Sequence, residues 1–217
     1  MTNVNALTPA RFSAAAAAGL RVFPGKRRSK KPALPWKKYQ HEAPTEDEVA
    51  GWDVSDFNVC IVTGAPSDII VLDVDSPEAQ DLVDKLNLPT TPTVKTARGR
   101  HLYFKRPGYP VRNGVKIGGV KLDVRGDGGY VIGPGSIHPS GVAYDWLVSP
   151  DETAFAPFPD QLAALISGQK SKGQGSSPTA ANTPKTAPRR AAGLEAFLLC
   201  ELEEAQAEIA GAANGSR

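Results

Sequence analysis

The run Ile69-Ile70-Val71-Leu72-Asp73-Val74-Asp75 constrains the fold more than any other stretch of the chain. It is rich in β-branched residues and reads as a strand apolar on both faces until its carboxyl end. Along a strand, alternate side chains share a face, with Cα atoms about 6.5–7 Å apart, so Asp73 and Asp75 project together. Two carboxylates at that spacing repel each other unless a cation bridges them. Hard oxygen donors of this kind suit Mg²⁺ or Mn²⁺. The alternative is a strand end that caps the next helix, with Asp75 or Ser76 as N-cap.

A second acid lies in an alternating run, Val120-Lys121-Leu122-Asp123-Val124-Arg125. A carboxylate between apolar neighbours is costly to leave unpaired. If this strand lies beside the first, three carboxylates converge and a two-metal phosphoryl-transfer site becomes possible; otherwise Asp123 pairs with Lys121 or Arg125 on its own face. Between the two acidic runs stands Thr96-Ala97-Arg98-Gly99-Arg100-His101. Its turn opens straight into a strand and offers backbone N–H groups, two guanidiniums and an imidazole, the elements of a triphosphate cradle. The alternative for His101 is a bystander at a strand start.

The flanking pattern is mixed α/β. Thr8-Pro9 opens a helix through about Ala18 that Gly19 stops, and Thr45 with Glu48 forms a capping box for a helix ending near Gly51. Strands are predicted at Asn58–Thr63, Ile69–Asp75, Thr93–Thr96, His101–Lys105, Val120–Arg125, Tyr130–Gly133 and Ala143–Leu147. Ser76-Pro77 starts a helix with Leu82, Val83 and Leu86 on one face, and Phe158-Pro159-Asp160 starts another through about Ile166. Residues 8–167 thus form one domain. Residues 168–188, poor in aliphatics, read as a flexible linker, and 189–213 as a C-terminal amphipathic helix with Leu194, Phe197, Leu198, Leu202 and Ile209 on its stripe.

Hydrophobic residues make up 41% of the 217, enough for a packed core, so global disorder is excluded. No apolar stretch approaches the ~20 residues of a membrane helix. Cys60 and Cys200 are too far apart in sequence and context for a disulfide framework or zinc pattern. A soluble cytoplasmic protein is expected. The net charge of +2 decides little, but its distribution does. Arg21, Lys26, Arg27, Arg28, Lys30, Lys31, Lys37 and Lys38 come with no acid between them, which suits a polyanion and equally a solvated basic loop. Gly19 to Arg27 mimics a Walker A loop but has the wrong glycine spacing and Arg27 where a hydroxyl must reach Mg²⁺.

The ordered set of Gly64, Val71 to Asp75, Thr-x-x-Gly-x-His-Leu-Tyr-Phe (96 to 104), and Leu122 to Val131 resembles the bifunctional primase–polymerase (prim-pol) domain of the archaeo-eukaryotic primase superfamily. Lys31-Pro32, Trp36, and Pro134-Gly135-Ser136-Ile137-His138 followed by Tyr144-Asp145-Trp146 extend the resemblance over about residues 10 to 166. It implies an α+β primase-like core, with an RRM-like sheet carrying the acids on its open face beside a small N-terminal α/β part. It also implies that Asp73, Asp75 and Asp123 are the catalytic acids and ligands of two Mg²⁺ or Mn²⁺ ions. His101, with Thr96, Arg98, Gly99 and Arg100, would bind the nucleotide phosphates, although Arg100 stands where glycine is more usual. Lys26, Lys31, Lys37, Arg112, Lys116 and Arg125 would follow template or primer phosphates, and Trp36, Tyr39 or Tyr130 could stack on a base.

The implied activity is template-dependent transfer of nucleotides from dNTPs or NTPs to a 3′-hydroxyl, as a DNA polymerase/primase in phage or plasmid replication. The chain then reads as a monomeric N-terminal piece of a longer replication protein with a helicase domain, working in a bacterial host cytoplasm if phage-encoded. Competing readings are another metal-dependent nucleotidyltransferase or nuclease, a non-catalytic single-stranded nucleic-acid-binding domain, and a DxD glycosyltransferase. The last is disfavoured by the basic surroundings.

Overall fold

The computed structural model describes residues 10–168. The predicted linker, apart from Gly168, the C-terminal helix and the Thr8-Pro9 start of the first helix lie outside the described residues. Four helices and nine strands are formed there: α1 Arg11–Ala17, β1 Val22–Gly25, α2 Glu46–Asp53, β2 Asn58–Val62, β3 Ile69–Val74, α3 Pro77–Lys85, β4 Thr93–Lys95, β5 Arg100–Lys105, β6 Leu122–Arg125, β7 Tyr130–Ile132, β8 Asp145–Val148, β9 Ala156–Pro157 and α4 Asp160–Gly168. The α+β expectation holds. Among these helices none is long and apolar enough to cross a membrane.

The larger sheet runs β6-β3-β5-β4-β8, with β9 beside β5. β3, α3 and β4 form a split βαβ unit with β5 inserted between its two strands and β6 on the outer side of β3, as in RRM-like sheets. Every pairing in this sheet is antiparallel except that of β9 with β5. A smaller antiparallel sheet, β1-β2-β7, belongs to the N-terminal part. β1 was not among the expected strands; its Pro24 is tolerated because β1 is an edge strand, where a missing N–H costs no ladder bond.

Two apolar clusters cover the two faces of the larger sheet. Behind it, Ile70, Leu72, Val74, Leu102, Phe104, Leu122 and Val124 pack with Ala79 and Val83 of α3 and Leu162 of α4. In front, Ile69, Val71, Val94 and Tyr103 pack with Phe23, Ile61, Tyr39 and Trp52 of the N-terminal part. The next front-facing residue of β3 is Asp73, where this cover ends. Each fully buried aliphatic side chain contributes about 1.5–3 kcal/mol, so the strand that carries Asp73 is firmly seated.

Local capping sets the helices. Thr45 Oγ1 accepts the Glu48 N–H at 3.2 Å while Glu48 Oε2 accepts the Thr45 N–H at 2.9 Å, the expected capping box. The Ser76 hydroxyl accepts the Ala79 N–H at 3.3 Å, which settles the helix-cap alternative on Ser76 and leaves the Asp75 carboxylate to other partners. α1 has no local cap; its first N–H groups, Phe12 and Ser13, donate to the Asp53 carboxylate at 2.7 and 3.0 Å.

Candidate active site

Strand register makes the site. Asp73 on β3 lies directly opposite Asp123 on β6 and His101 on β5, so the three stand in one row across adjacent strands and face the same side. Directly opposite Cα atoms in antiparallel pairs lie about 4.5–5.5 Å apart. Asp75 follows just past the end of β3. The convergence that was conditional in the sequence is therefore realised for the backbone positions of all three acids.

Guanidiniums now occupy the carboxylates. Arg125 Nη2 lies 2.8 Å from Asp123 Oδ2 and 4.0 Å from Asp73 Oδ2, so the Asp123–Arg125 pairing weighed from sequence is present as well. Arg98 Nη2 holds Asp75 Oδ2 at 3.1 Å. His101 Nε2 stands 3.3 Å from Asp73 Oδ1, too poorly aligned for a hydrogen bond, and Asp73 Oδ1 is buried without a hydrogen-bond partner. Burial is the largest effect on Asp73 and opposes its ionisation. His101, Arg125 and Lys30 outweigh it and hold the carboxyl below its usual value. The Lys116 N–H donates to Asp123 Oδ1 at 3.0 Å from a left-handed backbone with φ of 52°.

Among the described residues no three His, Cys, Asp or Glu side chains are grouped tightly enough, as they stand, to hold a metal ion. The donor set nonetheless fits a hard divalent cation. Two carboxylates share a row, a third follows just past the end of β3, and one oxygen of Asp73, the most buried of the three, has no hydrogen-bond partner. Arg125 and Arg98 take the places that cations would compete for.

The turn expected to cradle phosphates is built on Thr96. Its buried hydroxyl accepts the Gly99 N–H at 3.1 Å, and its own N–H donates to Gly99 O at 2.9 Å. Only glycine fits at 99: a Cβ there would lie 1.9 Å from Val74 O. Arg98 points into the site, but Arg100 does not. Its side chain faces the back of the sheet and pairs with Asp84 of α3 at 3.0 Å, because neighbouring strand residues alternate faces and His101 takes the front.

An open cleft of about 420 Å³ is lined by Asp73, His101, Arg125, Lys30, Trp36 and Tyr130, among others. A small recess beside it is formed by Lys30, Asp73, Asp75, Thr96, Arg98, His101, His138 and Tyr144. Lys30, His138 and Tyr144 went unassigned from sequence. Lys30 sat within the basic run, and His138 within the quoted Pro-Gly-Ser-Ile-His motif. Of the aromatic candidates, Trp36 and Tyr130 reach the cleft, whereas Tyr39 is core, buried against Phe23 and Trp52. Lys26, Lys31 and Lys37 are exposed on the segment that carries Lys30 and Trp36 to the cleft, and Arg112 and Lys116 are exposed on the loop that carries Asn113 to it.

A family model described as bifunctional DNA primase/polymerase, N-terminal, matches residues 13–161, the span that includes every element of the site. A comparison with curated proteins returned no match.

Proposed function

Because the chain belongs to the bifunctional DNA primase/polymerase family, whose substrates are DNA and nucleotides, we propose that this domain extends a 3′-hydroxyl along a DNA template in phage or plasmid replication. The observation that carries the reading is the single row of Asp123, Asp73 and His101 across three neighbouring strands. Asp73, Asp75 and Asp123 would hold the divalent metal on which this family typically depends. Two such ions, when bound, neutralise charge on the α-phosphate and the leaving pyrophosphate and activate the attacking hydroxyl.

The protein's own groups do the rest. Arg98, on an exposed turn pinned by Gly99 against β3, offers a guanidinium to the phosphate tail. His101 is held between Asp73 and the Tyr144 ring and presents an imidazole at the same floor. Lys30 reaches both cleft and recess and adds positive charge where the polyphosphate enters. Trp36 and Tyr130, packed edge to face with centroids 4.9 Å apart, form the apolar end of the cleft, suited to a base. Lys26, Lys31, Lys37, Arg112 and Lys116 are exposed for the sequence-independent attraction of a nucleic-acid backbone.

The test is extension of a labelled primer on a DNA template with dNTPs and Mg²⁺ or Mn²⁺. The wild-type chain is expected to extend it, and Asp73→Asn/Asp75→Asn to lose extension while keeping template binding. Template binding without extension by the wild type, with either metal, overturns the proposal in favour of a non-catalytic nucleic-acid-binding domain.

A further inference from the structure

His138 sits at the turn of a hairpin fastened by hydrogen bonds within itself and to β2. Gly135 N–H donates to Tyr144 O at 2.8 Å, Tyr144 N–H to Ser136 O at 2.9 Å and His138 N–H to Val142 O at 2.8 Å, and Gly141 N–H closes the turn on His138 O at 2.8 Å. The fully buried Asn58 of β2 clamps the preceding residue: Ile137 N–H donates to Asn58 Oδ1 and Asn58 Nδ2 donates to Ile137 O, each at 2.9 Å. The Ser136 hydroxyl accepts the Val59 N–H at 2.8 Å. The hairpin is thus fastened to the small sheet one and two residues before the imidazole.

The ring itself has a defined tautomer. Ser140 N–H, which can only donate, points to His138 Nδ1 at 3.1 Å, with the Ser140 hydroxyl 2.8 Å from the same nitrogen. Nδ1 is therefore the acceptor, and in the neutral ring the proton resides on Nε2. The ring lines the recess with Lys30, Thr96, Arg98 and His101, above Asp73 and Asp75. The Tyr144 ring lies between the two imidazoles, with centroids 6.0 Å from His101 and 6.1 Å from His138. Neither core packing nor a fold-bearing hydrogen bond accounts for this side chain, since its polar contacts are confined to its own turn.

Resting on the polymerase reading, we propose that His138 is a substrate-binding residue whose Nε2–H donates to the non-transferred phosphates of the incoming nucleotide. The second imidazole thus grips the part of the substrate that leaves as pyrophosphate. Desolvation first, then Lys30 and Arg98, lower the ring's pKa from its usual value against an opposing pull from Asp75. A hydrogen bond to a charged acceptor is worth about 1.5–3 kcal/mol, so losing it weakens phosphate binding by about 10-fold or more.

The experiment measures binding of dATP, dAMP and inorganic tripolyphosphate in Mg²⁺ by isothermal titration, beside primer-extension kinetics, for wild type, His138→Ala and His138→Gln. The expected result for His138→Ala is a Kd about 10-fold higher for dATP and tripolyphosphate, unchanged for dAMP. The KM for dNTP should rise in step, with His138→Gln restoring most of the affinity because its amide keeps a donor near the Nε2 position. Unchanged tripolyphosphate affinity in His138→Ala, in a wild-type background that extends primers, overturns the assignment alone. A wild type that binds template but extends no primer instead overturns the polymerase reading beneath it.

Discussion

Replacing Arg125 by glutamine tests whether the acidic row is poised for cations. Arg125 Nη2 stands 2.8 Å from Asp123 Oδ2 and 4.0 Å from Asp73 Oδ2. At an effective dielectric of about 20, unit charges 4 Å apart interact by about 4 kcal/mol. With a third of the Arg125 side chain exposed, solvent screening reduces the net contribution to about 1–3 kcal/mol. Arg125→Gln removes that attraction and leaves two carboxylates facing each other across adjacent strands. A domain of this size loses about 2–4 °C in Tm per kcal/mol, so a fall of about 2–12 °C is expected in metal-free buffer. Mg²⁺ or Mn²⁺ then takes over the neutralising role. At 100 times its Kd a ligand bound only by the folded state adds about 2.7 kcal/mol, and the variant, free of competition from the guanidinium, should gain more than wild type. Differential scanning fluorimetry across a metal titration reads this without any activity assay. Equal Tm values and equal, flat metal responses in both proteins would refute the reasoning, because neither the guanidinium nor a cation would then be neutralising the row.

Three further outcomes are expected. Gly99→Ala places a methyl 1.9 Å from Val74 O, forcing the turn and the end of β3 apart by about 1 Å or more. Primer extension should fall about 100-fold with a stability loss of about 1–3 kcal/mol, and extension within 2-fold of wild type would contradict it. Asp53→Ala strips two N–H groups at the start of α1 of their acceptor and should cost about 2 kcal/mol in urea denaturation, while extension below the melting range stays near wild type. Glu48 is held below the usual carboxyl value by the Thr45 backbone N–H first and by Lys38 next. A depressed acid stabilises above its unfolded pKa of about 4.3 and loses that contribution as pH falls through the lower folded value. Glu48→Gln should therefore flatten the acid limb of the stability profile below about pH 4.3, and an unchanged limb would argue against the capping box as its origin.

The site was partly legible for reasons that can be named. The period-two rule placed Asp73 and Asp75 on one side of β3 without reference to any neighbour. The same rule already set Arg100 against His101, so its orientation toward α3 was readable in the sequence, and the attraction of a basic turn obscured it. Lys30 and His138 were present in runs singled out for other reasons. What made them part of the site, the hairpin clamped by Asn58 and the loop that brings Lys30 to the cleft, depends on contacts between segments far apart along the chain.

The sequence by itself determined what hydrogen bonds spanning three or four residues and strict alternation can encode: the Thr45–Glu48 capping box, the Ser76 cap on α3, and a strand apolar on both faces up to its acidic end. Only the tertiary structure decided that Asp123 and His101 flank Asp73 in register, that Asp53 caps a helix in another part of the chain, and that the front cover of the sheet stops where the acids begin. Local bonds are selected by neighbours in the chain and survive being read one segment at a time. Register and cover are selected by how two apolar faces are buried at once, a condition that no single segment carries.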